Sequence, residues 1–476
     1  MKKFSRLKPD ELQQGAQEKQ PADKQDGVND PGHTALEKRS MNLHKIKAFG
    51  INGISIRAVT QWVAAIGLTL TAVGIAWGQK SLRMEDAEYE PQIRTALCYS
   101  LSAGAGVPSP AAKLENQNIV LEFDDLQNDR NSYYARLIHC NYDWSRSQLR
   151  DLDILRDYNE FPINDYSFSI NSRVPYVHYR FPVPPVRLPG NYLLVVYRNG
   201  DRNDIVLSRR ILIYQSLMML VEEDNMAGLG NLKTTNQALN FMIGYARMEV
   251  LNPSTSVHLI IRQNQRWDNA RSDVKPSFIR EDIKQLEYRF FDMDNTFSAG
   301  NEFRFVDFRS LNSPGINTQR LDRSQDPYEL YVVPDAPRGN AAYTQFPDKN
   351  GAFVIENLDN RMEPWITCNY VNVNFTLRSP KLSEDVYVIG GFNSWKQDEE
   401  NRMTWSDGTY SAKLLLKQGF YDYQYWVTPS AKINGNYLEG NHFQTENLYE
   451  VLVYYRPFQP NADLLVGYFL LPVNPR

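Results

Sequence analysis

Apolar and polar residues alternate along many short stretches of this chain. The clearest stretch is 371–377, VNVNFTL, where Val371, Val373 and Phe375 alternate with asparagine and threonine. Successive side chains of a strand point to opposite faces of a sheet, so this pattern predicts a strand with one buried face. Residues 421–425, YDYQY, show the same alternation and predict another half-buried strand.

Runs rich in β-branched and aromatic residues predict more strands, and turn sequences separate them. The runs lie at 192–197, 205–214, 257–262 and 448–455, and the turns at 189–191, 199–201, 348–351 and 407–408. Helical periodicity is almost absent. Short strands separated by turns are typical of sandwiches rather than of βαβ units. The predicted fold class is all-β, with tandem β-sandwich (Ig-like) domains.

Chain length and loose segments predict several domains. The 476 residues leave room for them at about 150 residues per domain. The predicted units are a removed N-terminal segment at 1–78, an N-terminal β-sandwich domain at 79–216, a middle β-sandwich domain at 217–365 and a C-terminal Ig-like domain at 366–476. The Gly-rich stretch 226–230 lies near the start of the middle unit.

The N-terminal segment carries the pattern of an export signal. Residues 62–77 contain no charge, follow basic residues such as Lys45 and Arg57, and end in Ala76-Trp77-Gly78. A basic region, an apolar core and small residues before the cleavage point are typical of a signal peptide. We predict cleavage after Gly78. A single-pass anchor is the alternative, although a span needs about twenty residues, and the start codon, Met1 or Met41, stays open.

Charge and cysteine content narrow the function classes. Lys and Arg total 52 and Asp and Glu total 56, giving a net charge of -4. No basic surface for nucleic acid is predicted from this balance. The three cysteines are too few and too scattered for a disulfide framework or a zinc site. Whether Cys98 and Cys140 pair is open, because spacing along the chain does not give distance in space.

The sequence offers little catalytic chemistry. The histidines outside the N-terminal segment stand alone, and no nucleophile elbow, phosphate loop or metal motif is present. Asp292-Met293-Asp294-Asn295-Thr296 begins like a calcium loop, but Phe297 and Phe303 occupy the positions that require Gly and Glu. We therefore expect no catalytic residue, no metal and no cofactor.

One local motif suggests a binding site. Residues 390–395, GGFNSW, follow a predicted strand and resemble the turn of starch- and glycogen-binding Ig-like modules of the early-set type. That resemblance implies glycan contact through Phe392, Asn393 and Trp395. Gln424 stands where those modules would place a basic residue. The alternative is that Phe392 and Trp395 only pin the turn onto the sandwich.

An ordered series of motifs is more specific than any single one. The series is YARLIHCNYDW at 134–144, YVHYR at 176–180, LPGNYLL at 188–194, QNQRWD at 263–268, GNEFR at 300–304, LKQGFYDY at 416–423, TENLY at 445–449 and DLLVGY at 463–468. This succession resembles the plug proteins of the type IX secretion system, over residues 90–470.

The resemblance implies a function that composition cannot indicate. It implies a non-enzymatic periplasmic plug subunit that sits peripherally at the outer membrane, docks under a large outer-membrane β-barrel translocon subunit and closes the periplasmic side of the pore. No nucleic acid and no small-molecule substrate are expected. The alternative is an exported carbohydrate-binding protein that uses the C-terminal module.

Three charged or polar positions are candidate partner contacts. Asn301, Glu302 and Arg304 lie within the GNEFR motif and could form part of a docking surface. The alternative is an internal role, because Glu302 and Arg304 share one face of the predicted strand and could pair across the sheet. Burying either charge without a partner would be costly.

Overall fold

The computed structural model describes residues 80–102, 108–127, 129–223, 230–289, 296–360 and 362–475. The predicted signal segment 62–77, the cleavage site after Gly78 and residues 292–295 lie outside these ranges. Within them the protein is almost entirely β, which confirms the predicted fold class. The described helices are short: α1 (Asp151–Ile154), α2 (Pro253–Ser256) and α3 (Pro364–Thr367). None of them has the length and apolar character that a membrane span requires.

The first sandwich is built from the first ten strands. They are β1 (Ala87–Glu88), β2 (Ile93–Ser100), β3 (Ala111–Lys113), β4 (Ile119–Asp125), β5 (Tyr133–Cys140), β6 (Phe161–Ile163), β7 (Asp165–Phe168), β8 (Val177–Pro182), β9 (Gly190–Arg198) and β10 (Ile205–Tyr214). One sheet runs β1-β10-β9-β5-β6, with β3 parallel to β10, and the other runs β2-β4-β8-β7. Phe123, Tyr179 and Leu194 join the two sheets in one core.

The next strands begin a second sandwich. They are β11 (Met219–Glu222), β12 (Asn236–Gln237), β13 (Phe241–Gly244), β14 (Val257–Gln263), β15 (Phe278–Arg280), β16 (Gln285–Tyr288) and β17 (Phe297–Ser298). One sheet runs β11-β13-β16-β15, and β12 pairs with β17. The 3-10 turns Gly230–Leu232 and Glu281–Ile283 lie between these strands.

A third sandwich follows before the second is complete. Its strands are β18 (Arg304–Asp307), β19 (Thr318–Asp322), β20 (Tyr328–Val332), β21 (Phe353–Ile355), β22 (Tyr370–Arg378), β23 (Val386–Ile389), β24 (Thr404–Ser406), β25 (Thr409–Lys417) and β26 (Gly419–Val427). One sheet runs β18-β26-β21, with β23 also on β26, and the other runs β19-β20-β22-β25-β24. Val306, Val373 and Tyr423 meet in its core.

The last two strands return to the second sandwich. β27 (Asn447–Tyr455) and β28 (Leu464–Val473) form the sheet β14-β27-β28. Phe241, Leu259 and Val451 share the resulting core. Strands from both sides of residue 365 therefore share a sheet. The unit boundaries at 216 and 365 stay predictions.

The first and second sandwiches pack sheet against sheet. β9 is buried at eight consecutive positions because both of its faces are covered. Tyr192 and Leu194 face the first core, whereas Leu193 and Val195 contact the outer face of β27 through residues such as Leu452. A strand that is covered on both faces reads as a continuous apolar run, as residues 192–197 do.

The two alternating stretches have different outcomes. β22 matches its prediction: Val371, Val373 and Phe375 are buried, and the asparagines between them are half-buried. In β26 the prediction of one exposed face is wrong, because Asp422 and Gln424 are buried as well. Other parts of the protein cover the polar side of β26: Asp422 accepts from the backbone N–H groups of Lys349 and Gly351, whereas Gln424 Nε2 is buried without a described acceptor.

The turn predictions hold for a stereochemical reason. Asn199 and Gly200 form a turn at the start of the loop 199–204 between β9 and β10, with φ angles of 54° and 74°. Asp407 and Gly408 join β24 directly to β25, with φ angles of 49° and 80°. Tight hairpins need positive φ at both central residues, which asparagine, aspartate and glycine adopt at low cost.

Candidate functional site

A cavity of about 480 Å³ lies where the three sandwiches meet. Each sandwich supplies part of its wall, including Cys98, Arg210, Arg262, Trp267, Trp395 and Lys396. Ligand sites in proteins commonly measure about 300–1,000 Å³ and combine apolar walls with a few polar groups. This junction cavity therefore has the size of a candidate binding site, and its wall is richer in charged residues than that of a typical ligand pocket.

Arg210, Trp267 and Arg262 of the cavity wall stack on one another, and Trp144 packs behind Arg210. The Arg210 guanidinium lies 4.8 Å from the Trp144 ring and 5.1 Å from the Trp267 ring. On the same Trp267 ring, the Arg262 guanidinium lies 4.4 Å from the ring centre. Each contact is a cation–π interaction, which is worth more where water is excluded. The rings are therefore already occupied by the protein's own cations.

Two cations of the junction cavity are poorly neutralised. Burial lowers the pKa of Arg210 and of Lys396. The nearest carboxylate oxygen to Lys396 Nζ belongs to Glu88, at 3.9 Å, and Arg210 has no ion pair to a described carboxylate. By contrast, Arg262 donates to Glu450 Oε1 at 3.0 Å. The wall also carries the carboxylates of Glu85, Asp86 and Asp268, so the junction cavity presents both charges.

The cysteines do not provide a nucleophile. Cys98, Cys140 and Cys368 are free and buried, so Cys98 and Cys140 do not pair. Burial raises the pKa of Cys98 above its ordinary range and raises the pKa of Cys140 and of Cys368 to about 12. Because the thiolate is the reactive form, these thiols are inert near neutral pH. Over the described residues, no group of three or more His, Cys, Asp or Glu side chains could hold a metal ion.

The turn residues of the GGFNSW motif face inward. Trp395 is 8% exposed, has the Arg266 guanidinium 4.2 Å from its ring centre and packs on Phe303 at 5.5 Å. Stacking on a sugar needs an open ring face, which Trp395 lacks. Asn393 accepts from the Gly390 N–H at 3.1 Å and donates to the Val388 carbonyl at 3.0 Å, which holds the turn.

Phe392 completes the packing of this turn. Its ring lies 5.8 Å from the Tyr421 ring in an edge-to-face arrangement and packs against the third core. It also lines a smaller cavity of about 90 Å³ with residues of β25. A glycan contact by Phe392, Asn393 or Trp395 stays a prediction, and the geometry of these side chains does not favour it.

Arg304 belongs to an internal ion-pair cluster. Its Nε donates to the two Glu439 carboxylate oxygens at 3.0 and 3.1 Å, and another N–H donates to Asp335 Oδ1 at 2.6 Å. Arg338 Nε donates to Glu439 Oε2 at 2.6 Å. Burial favours neutral forms here, but the opposite charges outweigh it: they raise the pKa of Arg304 and hold that of Glu439 at about 2.

The other two residues of the GNEFR motif are also bonded internally. Asn301 Nδ2 donates to the Glu439 carbonyl at 2.9 Å. Glu302 is 0% exposed and accepts from the Tyr343 hydroxyl. The structure thus brings Asn301, Glu302 and Arg304 into one buried network. A direct contact of these residues with a partner stays a prediction.

A second buried polar cluster joins the first and third sandwiches. Lys417 Nζ donates to Asp124 Oδ2 at 2.6 Å, and both side chains are 0% exposed. Tyr370 donates to the same oxygen at 2.6 Å, and His178 Nδ1 lies 2.9 Å from Asp124 Oδ1. Burial lowers the pKa of Lys417, and Lys417 in turn lowers the pKa of Asp124 against the effect of burial.

Sequence reasoning did not single out the cations of the junction cavity. A usable signal exists: Arg209 and Arg210 interrupt the apolar run IVLSRRILIY at 205–214. Charges in the middle of a buried strand are costly unless they are partnered. Such a pair therefore marks an internal polar site. Arg262, in the run 257–262, follows the same rule.

Comparison with known proteins adds a family and a structural relative. Residues 93–215 match the model of the Type 9 secretion system plug protein 1st domain. No curated protein matches the chain. The structure is similar to a crystal structure of a hypothetical protein from Parabacteroides merdae at 2.30 Å resolution, with a TM-score of 0.77, 26% sequence identity, and coverage of 82% of this chain and 100% of that one.

The family match confirms the resemblance drawn from the motif series. It indicates a role related to type IX secretion, an association with the secretion apparatus, and a periplasmic or other envelope location. Together with the all-β fold, it indicates a non-enzymatic structural protein.

Proposed function

From the premise that residues 93–215 form a type 9 secretion system plug domain, we propose that this protein is a non-enzymatic periplasmic plug subunit of the translocon. It docks on a large outer-membrane β-barrel and closes the periplasmic side of the pore by steric occlusion. A signal peptide removed after Gly78 delivers it to the periplasm. The observation that carries the proposal is the family match, which covers most of the first sandwich.

The bonds that hold the three sandwiches together support a role in steric occlusion. Direct bonds cross the boundaries between them: Lys417 to Asp124 at 2.6 Å, Tyr454 to Asn191 at 2.8 Å and Arg94 to Glu400 at 2.5 Å. Two of these bonds involve fully buried partners, which are shielded from competition with water. A body held together in this way resists deformation when it covers an opening.

The test is affinity purification of the chromosomally tagged protein from gently solubilised envelopes, followed by mass spectrometry. We expect a very large outer-membrane β-barrel in near-stoichiometric amount. We also expect deletion of the gene to make the envelope permeable to large molecules, and a plasmid copy to reverse this. A tagged, unrelated periplasmic protein is the control. Recovery of the protein alone, with an intact barrier in the deletion strain, would count against the proposal.

The alternative of glycan binding through the C-terminal module is not favoured. Its strongest candidate, Trp395, is nearly buried, with Arg266 over its ring and Phe303 beside it.

A further inference from the structure

Arg136 is a cation without a protein partner. It lies on β5, is half-buried, and its side chain makes no hydrogen bond or ion pair to any described residue. Its Nε atom is buried and has no acceptor. A guanidinium has five N–H donors, and a buried charge is costly unless it is paired. The position therefore lacks an acceptor that a ligand could supply.

Two more arginines approach the same place. Arg136, Arg146 and Arg202 line a cavity of about 50 Å³, whose wall also includes Asp151 and Asn159. Burial, followed by the charges of Arg202 and Arg146, lowers the pKa of Arg136. Arg202 has a long ion pair to Glu160 at 3.4 Å, and Arg146 has no ion pair to a described carboxylate. Positive charge is in excess here.

The cavity wall is rigid and has room for one anionic group. Asn159 accepts from the Leu137 N–H at 2.9 Å and donates to its carbonyl at 2.7 Å, which fixes the segment beside β5. A single water needs only about 10–15 Å³ of such space. A volume of about 50 Å³ therefore admits a carboxylate group. His139 at the wall stays neutral near pH 7, because burial lowers its pKa to about 4.

Exposed apolar side chains accompany this charge. Leu152 and Tyr158 are 70% and 74% exposed, and both lie on the segment 151–159 that lines the cavity. The Tyr158 hydroxyl accepts from Arg202 at 3.4 Å, which places Tyr158 beside one of the three arginines. Exposed apolar and aromatic groups next to arginine are typical of protein interfaces, where tyrosine and arginine are enriched.

We propose that Arg136, Arg146 and Arg202 form a docking pocket for the carboxylate of an acidic side chain of a partner protein, with Leu152 and Tyr158 as its apolar rim. Arginine and carboxylate form paired, charge-assisted hydrogen bonds, which supply both strength and direction. The inserted carboxylate would satisfy Arg136 and neutralise the excess charge. This inference does not depend on the proposed function, since it identifies the partner by its chemistry alone.

The probe is a capped glutamyl tripeptide, acetyl-Gly-Glu-Gly-amide, compared with its glutamine counterpart and with inorganic phosphate. Binding is followed on the full chain through the Arg Nε–H NMR signal that disappears in Arg136→Gln. We expect the glutamyl peptide to shift this signal and the glutamine peptide to leave it unchanged. Arg202→Gln should weaken the binding about 10- to 100-fold, the range for one charge-assisted hydrogen bond.

Arg320→Gln is the matched control, because Arg320 is exposed and lies on β19 in the third sandwich. It should leave the peptide affinity unchanged. A second readout is stability: Arg136→Gln should not lower the melting temperature of the unliganded protein, since it removes a charge that has no partner. A response to phosphate alone, no response to the glutamyl peptide, or an equal response to both peptides would each overturn the proposal.

Discussion

The carboxyl group of Asp422 makes stability depend on pH in a direction opposite to that of most carboxylates. Its Oδ2 accepts from the backbone N–H groups of Lys349 at 2.6 Å and Gly351 at 3.1 Å, while Oδ1 has no described hydrogen-bond partner. Burial and, next, the charge of Asp348 raise the pKa of Asp422 from 3.8 to about 8. The folded protein therefore keeps this proton at pH values where the unfolded chain has lost it.

The sign and size follow from proton linkage. Between pH 4 and pH 8 the folded state binds more protons at this group, so stability falls as pH rises through that window. Each pH unit corresponds to about 1.4 kcal/mol. Asp422→Asn keeps a neutral acceptor for the two N–H groups and removes the titration. We expect its gain in unfolding free energy over the parent protein to be roughly 3–4 kcal/mol larger at pH 8 than at pH 5.

The assay is urea unfolding followed by tryptophan fluorescence, at pH 5, 6, 7 and 8, for the parent protein and the variant. Asp282→Asn is the control, because Asp282 is exposed, and it should give the same small change at every pH. Asp348→Asn should reduce the pH dependence, since it removes the second cause of the raised pKa. A constant difference between Asp422→Asn and the parent protein across this range would refute the reasoning.

Two further predictions concern the packing between strands. Lys417→Met leaves the Asp124 carboxylate buried without its cation and should cost about 3–5 kcal/mol of unfolding free energy; Lys413→Met on the same strand, whose pair with Glu329 is at the surface, should cost at most about 1 kcal/mol in the same denaturant titration. Gly190→Ala would place its Cβ atom 2.3 Å from His139 Nε2 and should lower the melting temperature by many degrees. Gly200→Ala meets no atom within 4 Å, so its melting temperature should fall less, by the equivalent of the strain of a positive φ, about 1–2 kcal/mol. Equal losses within either pair would contradict the contacts described.

Local features of this fold could be predicted, but contacts between distant segments could not. Asp407-Gly408 specifies the hairpin between β24 and β25 because its backbone preference is local. The alternation in 371–377 also predicted correctly which side chains are buried, because the polar face of that strand is partly open to solvent. The same alternation misled at 421–425, because period-2 patterning does not reveal whether polar residues face water or another part of the protein. Asp422 faces the loop at 349–351 instead.

In the candidate site, too, local motifs could be recognised in the sequence, whereas their distant partners could not. The GGFNSW and GNEFR motifs were recognisable, yet their side chains turned out to be held by Arg266 and Glu439, which lie 129 and 135 residues away from Trp395 and Arg304. The pair of Lys417 and Asp124 spans 293 residues. Local sequence patterns do not specify partners that lie so far apart in the chain. Arg136 belongs to a recognised motif, but only the structure shows that its charge is unpartnered.

The return of β27 and β28 to β14 has a consequence for the order in which the chain can fold when it emerges with its N-terminal part first. β14 ends at Gln263, but its neighbour β27 begins only at Asn447, after the whole third sandwich has been made. Until then, Leu259, Ile260 and Ile261 lack the strand that covers them. Contacts between such distant segments form late because their loop must close first. A chain that ends before β27 therefore exposes an unpaired, apolar sheet edge that chaperones and proteases can recognise. The pairing of β27 and β28 with β14 completes the second sandwich and is the last step of folding.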